Sequence, residues 1–133
     1  MKKYILDTNI CVYFLKGQYE LDKRIEKAET ENCFVSEITI AELKFGAENS
    51  ENKEKNRKTV DEFVSKFTII PIFNSLDIYA KEKARLRKKG LPLDDFDLLI
   101  GATAISNNLT LVTRNVSDFE RLEGIEIENW ATD

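Results

Sequence analysis

The stretch that decides the fold is Tyr4-Ile5-Leu6-Asp7-Thr8-Asn9-Ile10. Its first three residues are apolar and predict a short buried strand, and Asp7 follows where that strand should end. In an open α/β sheet, ligands bind at the carboxyl ends of the strands, and a carboxylate buried there needs a compensating metal ion or hydrogen-bond donor. Asp7 is therefore the first candidate for a functional residue.

Composition limits the protein class. The chain has 133 residues, of which 42% are hydrophobic and 33% charged, which is typical of one globular domain. No apolar run approaches the roughly 18 residues of a membrane-spanning helix. The apolar run behind Lys2 and Lys3 is too short for a signal peptide, so we expect a cytoplasmic protein with no membrane role. The net charge of −4 does not favour nucleic acid as a partner of the chain as a whole.

The absence of histidine narrows the possible chemistry. It excludes Ser-His and Cys-His nucleophilic mechanisms and the histidine pair of metal-free ribonucleases. Cys11 and Cys33 have no histidine with which to complete a zinc site, so both are predicted to be small core residues. If the protein is an enzyme, carboxylates, lysines or a metal ion must perform the reaction.

Strand and helix patterns alternate along the chain. Strands are predicted at Lys3 to Leu6, Phe34 to Ser36, Thr68 to Ile72, Thr110 to Thr113 and Ile125 to Ile127. Helices are predicted at Asn9 to Leu15, Glu20 to Ala28, Ile38 to Glu48, Lys53 to Lys66, Leu76 to Lys89 and Asp95 to Asn107. The polar segment Glu48 to Lys58 should form a solvated turn between two helices. The alternation predicts an α/β domain with a mainly parallel central sheet of four to five strands and helices on both faces.

Glu42 is the second candidate acid. Helical spacing places it one turn from Ile38 and from Phe45, on an apolar stripe. Its i+4 neighbour is Gly46, so the usual surface pair with a lysine is unavailable in that direction. A glutamate at the edge of the stripe with its carboxylate in water remains an alternative.

Asp97 is the third candidate. It opens the segment Asp97-Leu98-Leu99-Ile100-Gly101-Ala102, a helix that is apolar nearly all round and therefore starts inside the protein. The alternative is helix capping, in which Asp94 is the N-cap and Asp97 its reciprocal partner. Gly101 leaves room for another element or a ligand to approach.

Asp118 is the fourth candidate, in the loop that follows Thr110-Leu111-Val112-Thr113. A turn-forming role is the alternative, because Asp and Asn are common after strands. Strands 1 and 4 would be neighbours at the switch point of a doubly wound sheet, so Asp7 and Asp118 could face one crevice. Four carboxylates meeting there would suit Mg²⁺ or Mn²⁺, since hard cations select oxygen ligands. Without a cation, the acids would repel each other.

The chain resembles the PIN-domain ribonucleases over its full length, and within them the VapC-type toxins of bacterial toxin-antitoxin pairs. The resemblance lies in Leu6-Asp7-Thr8-Asn9, in Ile38-Thr39-Ile40-Ala41-Glu42-Leu43 with Gly46, in the Asp97 to Ala102 segment, and in Thr113-Arg114-Asn115 with Asp118-Phe119.

The resemblance implies a single PIN domain over residues 1–133 and a Mg²⁺- or Mn²⁺-dependent endoribonuclease that cleaves RNA, with transfer RNA as the expected substrate. The implied metal-binding and catalytic residues are Asp7, Glu42, Asp97 and Asp118. Thr8, Asn9, Thr113 and Asn115 would orient those acids or a bound water. A VapB-type antitoxin would cover the acidic pocket, and the protein would form a homodimer. Asp94 and Asp95 are additional nearby carboxylates that could compete for metal.

Contacts to RNA are predicted from the basic residues. The segment Lys81 to Lys89 carries six cations and one acid, and Arg85, Lys88 and Lys89 could steer phosphates toward the site. A solvated basic helix C-terminus is the alternative. The resemblance places Arg114 beside the pocket, which favours it for a phosphate contact. Trp130 and Phe119 could stack on a base, but core or dimer packing is the stronger expectation.

Two other functional classes fit parts of the pattern. A receiver-type signalling domain is also doubly wound, but it needs an adjacent pair of acids after strand 1 and a lysine near the last strands, where this chain has Asp7 alone and Arg114. A non-catalytic binding module would use the acids only as caps and turn residues. A different metal-dependent nuclease with the same fold is the nearest alternative, because a fold does not fix its substrate.

Overall fold

A computed structural model describes residues 1–132. The strands are β1 (Tyr4–Leu6), β2 (Cys33–Ser36), β3 (Thr68–Ile70), β4 (Thr110–Val112) and β5 (Glu126–Glu128). The helices are α1 (Thr8–Leu15), α2 (Leu21–Ala28), α3 (Glu37–Glu48), α4 (Lys53–Lys66), α5 (Leu76–Lys88), α6 (Asp95–Ser106) and α7 (Val116–Phe119). Short 3₁₀ turns occupy Thr30–Asn32 and Phe73–Ser75.

The five strands form one parallel sheet in the order β3-β2-β1-β4-β5. The sheet is doubly wound, because the chain builds outward from β1 first toward β3 and then, after crossing back, toward β5. Ile5 lies beside Leu111 in the register of β1 with β4. The predicted parallel sheet and the predicted adjacency of strands 1 and 4 are both confirmed, so the carboxyl ends of β1 and β4 lie side by side.

Consecutive residues of β1 bury opposite faces of the sheet, as strand geometry requires. Leu6 belongs to a core that includes Ile10 of α1, Leu43 of α3 and Phe63 of α4. Ile5 belongs to a second core that is built largely from α5, α6 and β4. The predicted helices on both faces are therefore present, and Cys11 and Cys33 are fully buried free thiols, as expected.

Helix α3 differs from its predicted orientation. Its buried side chains are Thr39, Leu43 and Ala47, which recur every four residues. Glu42 is half-buried beside that face, whereas Phe45 is 68% exposed. The stripe predicted through Ile38, Glu42 and Phe45 was therefore wrong at Phe45, because the apolar residues of this helix occur on more than one face and only the contacts with the sheet select the buried one.

The predicted bounds of α4, Lys53 to Lys66, are confirmed. The predicted turn from Glu48 to Lys58 is therefore too long, because Lys53 to Lys58 are helical, although mostly exposed. The short helix α7 was not predicted, because four residues carry too little periodicity to detect. Within residues 1–132, none of the helices combines the length and the hydrophobicity that crossing a bilayer would require.

Candidate active site

Asp7 lies between the central strand and the first helix. It follows β1 directly and is the N-cap of α1, accepting a hydrogen bond from the Thr8 backbone N–H at 2.8 Å. The Thr113 hydroxyl, just past the end of β4, donates to the other carboxylate oxygen at 2.8 Å. Only 4% of Asp7 is exposed. The position predicted from the sequence is thus a buried carboxylate at the switch point of the sheet.

The surroundings of Asp7 act on its ionisation in opposite directions. Burial raises the pKa of Asp7, and the charge of Glu42 adds to that rise. The hydrogen bonds from Thr113 and Thr8 oppose it, because they stabilise the ionised carboxylate. Two donors therefore hold a buried carboxylate in one orientation while its charge remains only partly compensated.

Glu42 reaches the same crevice from α3. The Thr8 hydroxyl lies 2.7 Å from Oε1 of Glu42 and donates a hydrogen bond to it. The same hydroxyl lies 2.9 Å from the buried hydroxyl of Thr39, one turn before Glu42. Thr8 therefore joins Asp7, through its backbone, to Glu42, through its side chain. Thr39 was not singled out from the sequence, although its position three residues before Glu42 places both on one side of the helix.

Asp97 lies in the first turn of α6, but it is not part of the cap. The N-cap is Asp94, whose side chain accepts from the Phe96 backbone N–H at 3.1 Å. No hydrogen bond to the Asp97 carboxylate comes from any residue between 1 and 132. The capping interpretation therefore holds for Asp94 and leaves Asp97 without a structural partner.

Burial and the charges of neighbouring acids both act on Asp97. Burial, followed in order of size by the charges of Asp7, Asp94, Glu42 and Asp118, raises the pKa of Asp97 to about 6. These contributions place the carboxylates of three helices and one strand end within electrostatic reach of each other. The four acids predicted from the sequence are thus neighbours in space.

Asp118 lies on α7 and both of its oxygens are engaged. Asn115 donates from its side-chain amide at 2.9 Å, and the Arg121 guanidinium pairs with the other oxygen at 3.2 Å. The Asn115 backbone N–H in turn donates to the Thr113 hydroxyl at 3.0 Å, which links this acid to the donor that holds Asp7. Arg121 was not singled out from the sequence, although its spacing of three residues from Asp118 is that of a helical ion pair.

Asp95 is bonded to α5 and not to the residues around Asp97. Its carboxylate accepts from Lys83 at 2.8 Å and from the Tyr79 hydroxyl at 2.9 Å, both on α5. These contacts lower the pKa of Asp95, with the bond from Lys83 contributing most. Asp95 is therefore an ion-pair partner of α5, whereas Asp94 adds negative charge near Asp97.

The donor set fits a hard divalent cation. Every candidate ligand is a carboxylate, which hard cations prefer. The neighbouring carboxylates raise the pKa of Asp97, and a bound cation would oppose that rise. Among residues 1–132, no group of three or more acidic or cysteine side chains is already arranged to hold a metal ion. Because Thr8, Thr113, Asn115 and Arg121 hold three of the four acids, metal binding would require some of these carboxylates to reorient.

The predicted basic residues occupy different environments. Arg114 is exposed, directly after Thr113, and its guanidinium stacks 5.2 Å from the centre of the Tyr19 ring and also donates to the Tyr19 hydroxyl. Arg85 is held by Glu82, as described below. Lys88 and Lys89 are exposed at the end of α5.

Three other predicted contacts can be placed. Asn9 is exposed, and its side chain forms no hydrogen bond with the rest of the described chain. Trp130 and Phe119 are 3% and 1% exposed, respectively, so both are core residues. Base stacking on either ring would require the core to open, and the packing interpretation is the one that the structure supports.

Comparison with known proteins gives a consistent family. The sequence model of the family described as PIN domain matches residues 4–125. A tRNA(fMet)-specific endonuclease VapC from Salmonella typhimurium is 35% identical over 131 residues, covering 98% of this chain and 99% of the relative. Ribonuclease VapC2 from Rickettsia felis is 38% identical over 130 residues, covering 96% of this chain and 97% of the relative.

Solved structures give the same result. A chain of DNA-bound VapBC from Salmonella typhimurium superposes with a TM-score of 0.91 at 34% identity, covering 98% of this chain and 99% of that one. A chain of VapBC2 from Rickettsia felis, bound to a promoter DNA fragment, gives a TM-score of 0.88 at 37% identity, covering 96% and 98%.

Proposed function

Because the chain belongs to the PIN-domain family, and within it to the VapC ribonuclease toxins of VapBC systems, we propose that it hydrolyses RNA with Mg²⁺ or Mn²⁺ held by Asp7, Glu42, Asp97 and Asp118. We assign the whole chain, residues 1–133, to this one domain. The observation that carries the proposal is the electrostatic proximity of Asp97 to the other three acids. A binding module that used these acids only as caps would have no reason to leave Asp97 without a donor.

The chemistry follows from the donor set. When bound, the cation supplies positive charge that favours attack of water on an RNA phosphodiester and stabilises the departing oxygen. Thr8 and Thr113 hold Asp7, and Asn115 holds Asp118, and some of these carboxylates would turn to reach a bound cation. The products should carry 5′-phosphate and 3′-hydroxyl ends.

RNA must reach an acidic crevice on a protein with a net charge of −4. Arg114 is the best placed cation, since it follows Thr113 immediately and lies at the surface. Lys88 and Lys89 lie on the helix that packs beside α6 and would add a weaker, screened attraction. Arg85 is a poor candidate for RNA contact, because its donors are bonded to Glu82 and to the Arg121 carbonyl.

Transfer RNA is the proposed substrate class. The support is the name of the Salmonella typhimurium relative, a tRNA(fMet)-specific endonuclease that matches over nearly the whole chain. Initiator transfer RNA is therefore the first substrate to test. Sequencing of RNA ends after brief induction of the protein would identify the cleaved RNA and the bond, and cuts confined to messenger RNA would contradict the assignment.

The decisive test compares two aspartates of one helix turn. Asp97→Asn should abolish cleavage of transfer RNA in the presence of Mn²⁺, because it removes one proposed ligand. Asp95→Asn is the matched control, since Asp95 pairs with Lys83 and should leave cleavage unchanged. Full activity of the Asp97 variant would overturn the proposed site.

Metal dependence has its own test. Excess EDTA should stop cleavage, and added Mn²⁺ or Mg²⁺ should restore it. Cleavage undiminished by EDTA, or products with 2′,3′-cyclic phosphate ends, would contradict the mechanism.

An antitoxin partner is implied by the structural neighbours, which are VapBC complexes. We propose a VapB-type antitoxin that covers the acidic crevice, and a homodimer of this chain. Light scattering of the purified toxin would measure the dimer. Inhibition of RNA cleavage by a protein encoded beside the toxin gene would identify the antitoxin.

A further inference from the structure

A buried ion pair lies outside the four acids. Glu82 of α5 is 8% exposed, although glutamate is rarely buried without a partner. Arg85 donates to both of its carboxylate oxygens, at 2.7 and 2.9 Å. These bonds lower the pKa of Glu82 and raise that of Arg85, so both side chains are charged. Bidentate contacts of this kind are directional as well as strong.

Glu82 and Arg85 form hydrogen bonds with the backbone of the turn that follows α7. One oxygen of Glu82 also accepts from the Glu123 backbone N–H at 2.7 Å. Arg85 donates to the Arg121 carbonyl at 2.6 Å. Two backbone groups of residues 121–123 are therefore bonded to one ion pair on α5. The Arg121 and Leu122 backbone N–H groups also donate to the Asp118 and Phe119 carbonyls, at 3.3 and 3.0 Å. The ion pair adds the contacts that tie this turn to α5.

The turn at residues 121–123 also contacts the side chain of Asp118. The Arg121 guanidinium pairs with Asp118 at 3.2 Å and also donates to the Pro92 carbonyl at 3.3 Å, in the segment before α6. Leu122, the next residue, packs against Gly101 of α6 so closely that a Cβ on that glycine would lie 2.3 Å from Cδ1 of Leu122. The same turn therefore contacts both the helix that carries Asp97 and the side chain of Asp118.

We propose that Glu82 and Arg85 are positioning residues for the active site: by helping to fix the turn at residues 121–123 they place Arg121, which keeps the Asp118 carboxylate near the other three acids. The inference rests on the proposed function, because it assigns Asp118 to a metal centre. It extends that function to an ion pair on α5 that touches none of the four acids.

The alternative is that the ion pair only stabilises the fold. The chain offers a matched control for this, because Glu48 and Arg57 form an ion pair of the same bidentate geometry between α3 and α4, with distances of 2.6 and 2.7 Å. Glu82→Gln and Glu48→Gln remove the same charge from pairs of the same geometry, although the Glu48 pair is about half exposed. Only the first of these pairs bonds to the turn beside Asp118.

The experiment measures where Mn²⁺ binds as well as activity. Carbon-detected NMR of the intact protein would follow paramagnetic broadening of the Asp118 carboxyl carbon by substoichiometric Mn²⁺. We expect strong broadening in the wild type and in Glu48→Gln, and broadening reduced severalfold in Glu82→Gln. At saturating Mn²⁺, kcat for RNA cleavage should fall about 10- to 100-fold in Glu82→Gln, the range typical of residues that orient metal ligands, with KM changed less than about twofold.

A second pair of variants covers the case in which Glu82→Gln fails to fold. Arg121→Gln removes the ion pair with Asp118 at a partly exposed side chain and leaves Glu82 and Arg85 unchanged. It should reduce both the broadening of the Asp118 signal and kcat. Arg121→Lys keeps a cation within reach of Asp118 and should restore most of both.

The outcomes separate the two hypotheses. Unchanged broadening and kcat in folded Glu82→Gln, or in Arg121→Gln, would overturn the positioning role while leaving the nuclease assignment intact. A wild type that cleaves RNA but shows no broadening at Asp118 would overturn this inference alone. A wild type that neither cleaves RNA nor binds Mn²⁺ would overturn the proposed function and this inference with it.

Discussion

At the scale of single residues, hydrogen-bond partners distinguish the four acids better than burial does. Asp7, Glu42 and Asp118 each accept hydrogen bonds from neighbouring side chains, namely Thr113, Thr8 and Asn115. Asp97 receives no such bond from the described residues, and its pKa is the one that rises to about 6. An uncompensated carboxylate is costly unless something else binds it. We therefore expect binding or loss of a cation to change the ionisation of Asp97 more than that of the other three acids.

The raised pKa of Asp97 predicts a pH dependence of stability in metal-free protein. The folded state holds the Asp97 proton up to about pH 6, whereas the unfolded state releases it near the ordinary aspartate pKa of 3.8. Between these values the folded state binds more protons, so stability falls as pH rises. The contribution is fully present below about pH 4 and is lost by about pH 6 to 7.

Urea unfolding in EDTA between pH 4 and 7 would measure this effect. The free energy of unfolding of the wild type should fall over that range relative to Asp97→Asn, which cannot ionise. Parallel pH profiles for the two proteins would show that the neighbouring acids do not act on Asp97 as described.

At the scale of elements, α6 is both a buried apolar helix and the element that carries Asp97. Its interior must be apolar to pack between the sheet and α5, and its first turn must carry a carboxylate. Residues Leu98 and Ile100 to Ala104 are buried, while Asp94 caps the amino end and frees Asp97 for the crevice. The glycine within this helix, Gly101, is explained by the close approach of Leu122 rather than by backbone conformation.

Gly101→Ala should therefore destabilise the protein, although alanine is the better helix former. The new Cβ would clash with Leu122, which is itself 3% exposed and has little room to move. Overpacking costs about 1 to 3 kcal/mol and the gain in helix propensity returns up to about 1, so we expect a net loss of about 1 kcal/mol. Because Leu122 lies in the turn beside Asp118, kcat should fall as well.

Chemical denaturation and RNA cleavage of the Gly101 variant check this prediction. Gly46→Ala, also within a helix but with open space around the added Cβ, is the control and should be neutral or stabilising. A Gly101 variant more stable than the wild type would mean that Leu122 adapts without cost.

At the scale of the whole molecule, the strand order creates the site. Helices cross over on both faces of the sheet, and the reversal of direction at β1 leaves a crevice between the ends of β1 and β4. Asp7 follows β1 and Asp118 lies on α7 after β4, with α3 and α6 supplying Glu42 and Asp97. The charges of the neighbouring acids disfavour the ionised form of Asp97 in the folded protein, and a bound cation would relieve this effect.

Mn²⁺ should therefore raise the melting temperature of the wild type. Binding to the folded state alone stabilises it by about 2.7 kcal/mol when the free ion is at 100 times its Kd. Differential scanning calorimetry with increasing Mn²⁺ would measure a progressive rise of several degrees. The rise should be largely absent in Asp7→Asn, and an equal rise in that variant would place the bound ion elsewhere.

Local patterns in the sequence were sufficient for most of the fold. The apolar run before Asp7, the alternation of strand and helix patterns, and the all-apolar segment after Asp97 predicted the parallel sheet and the helices on both of its faces. These features depend on residues close together in the chain. The buried face of α3 could not be predicted in this way, because Leu43 and Phe45 are both apolar and only contacts with the sheet decide which is covered.

The sequence by itself determined which residues could form a histidine-free site, namely the acids at the ends of strands and helices. Only the tertiary structure decided how those acids are held: that Thr8 bridges Asp7 and Glu42, that Asp97 receives no hydrogen bond from residues 1–132, and that an ion pair on α5 bonds to the turn beside Asp118. The physical reason is that each of these contacts joins residues far apart in the chain. Hydrogen-bond geometry across such separations is set by packing, and no local pattern encodes it.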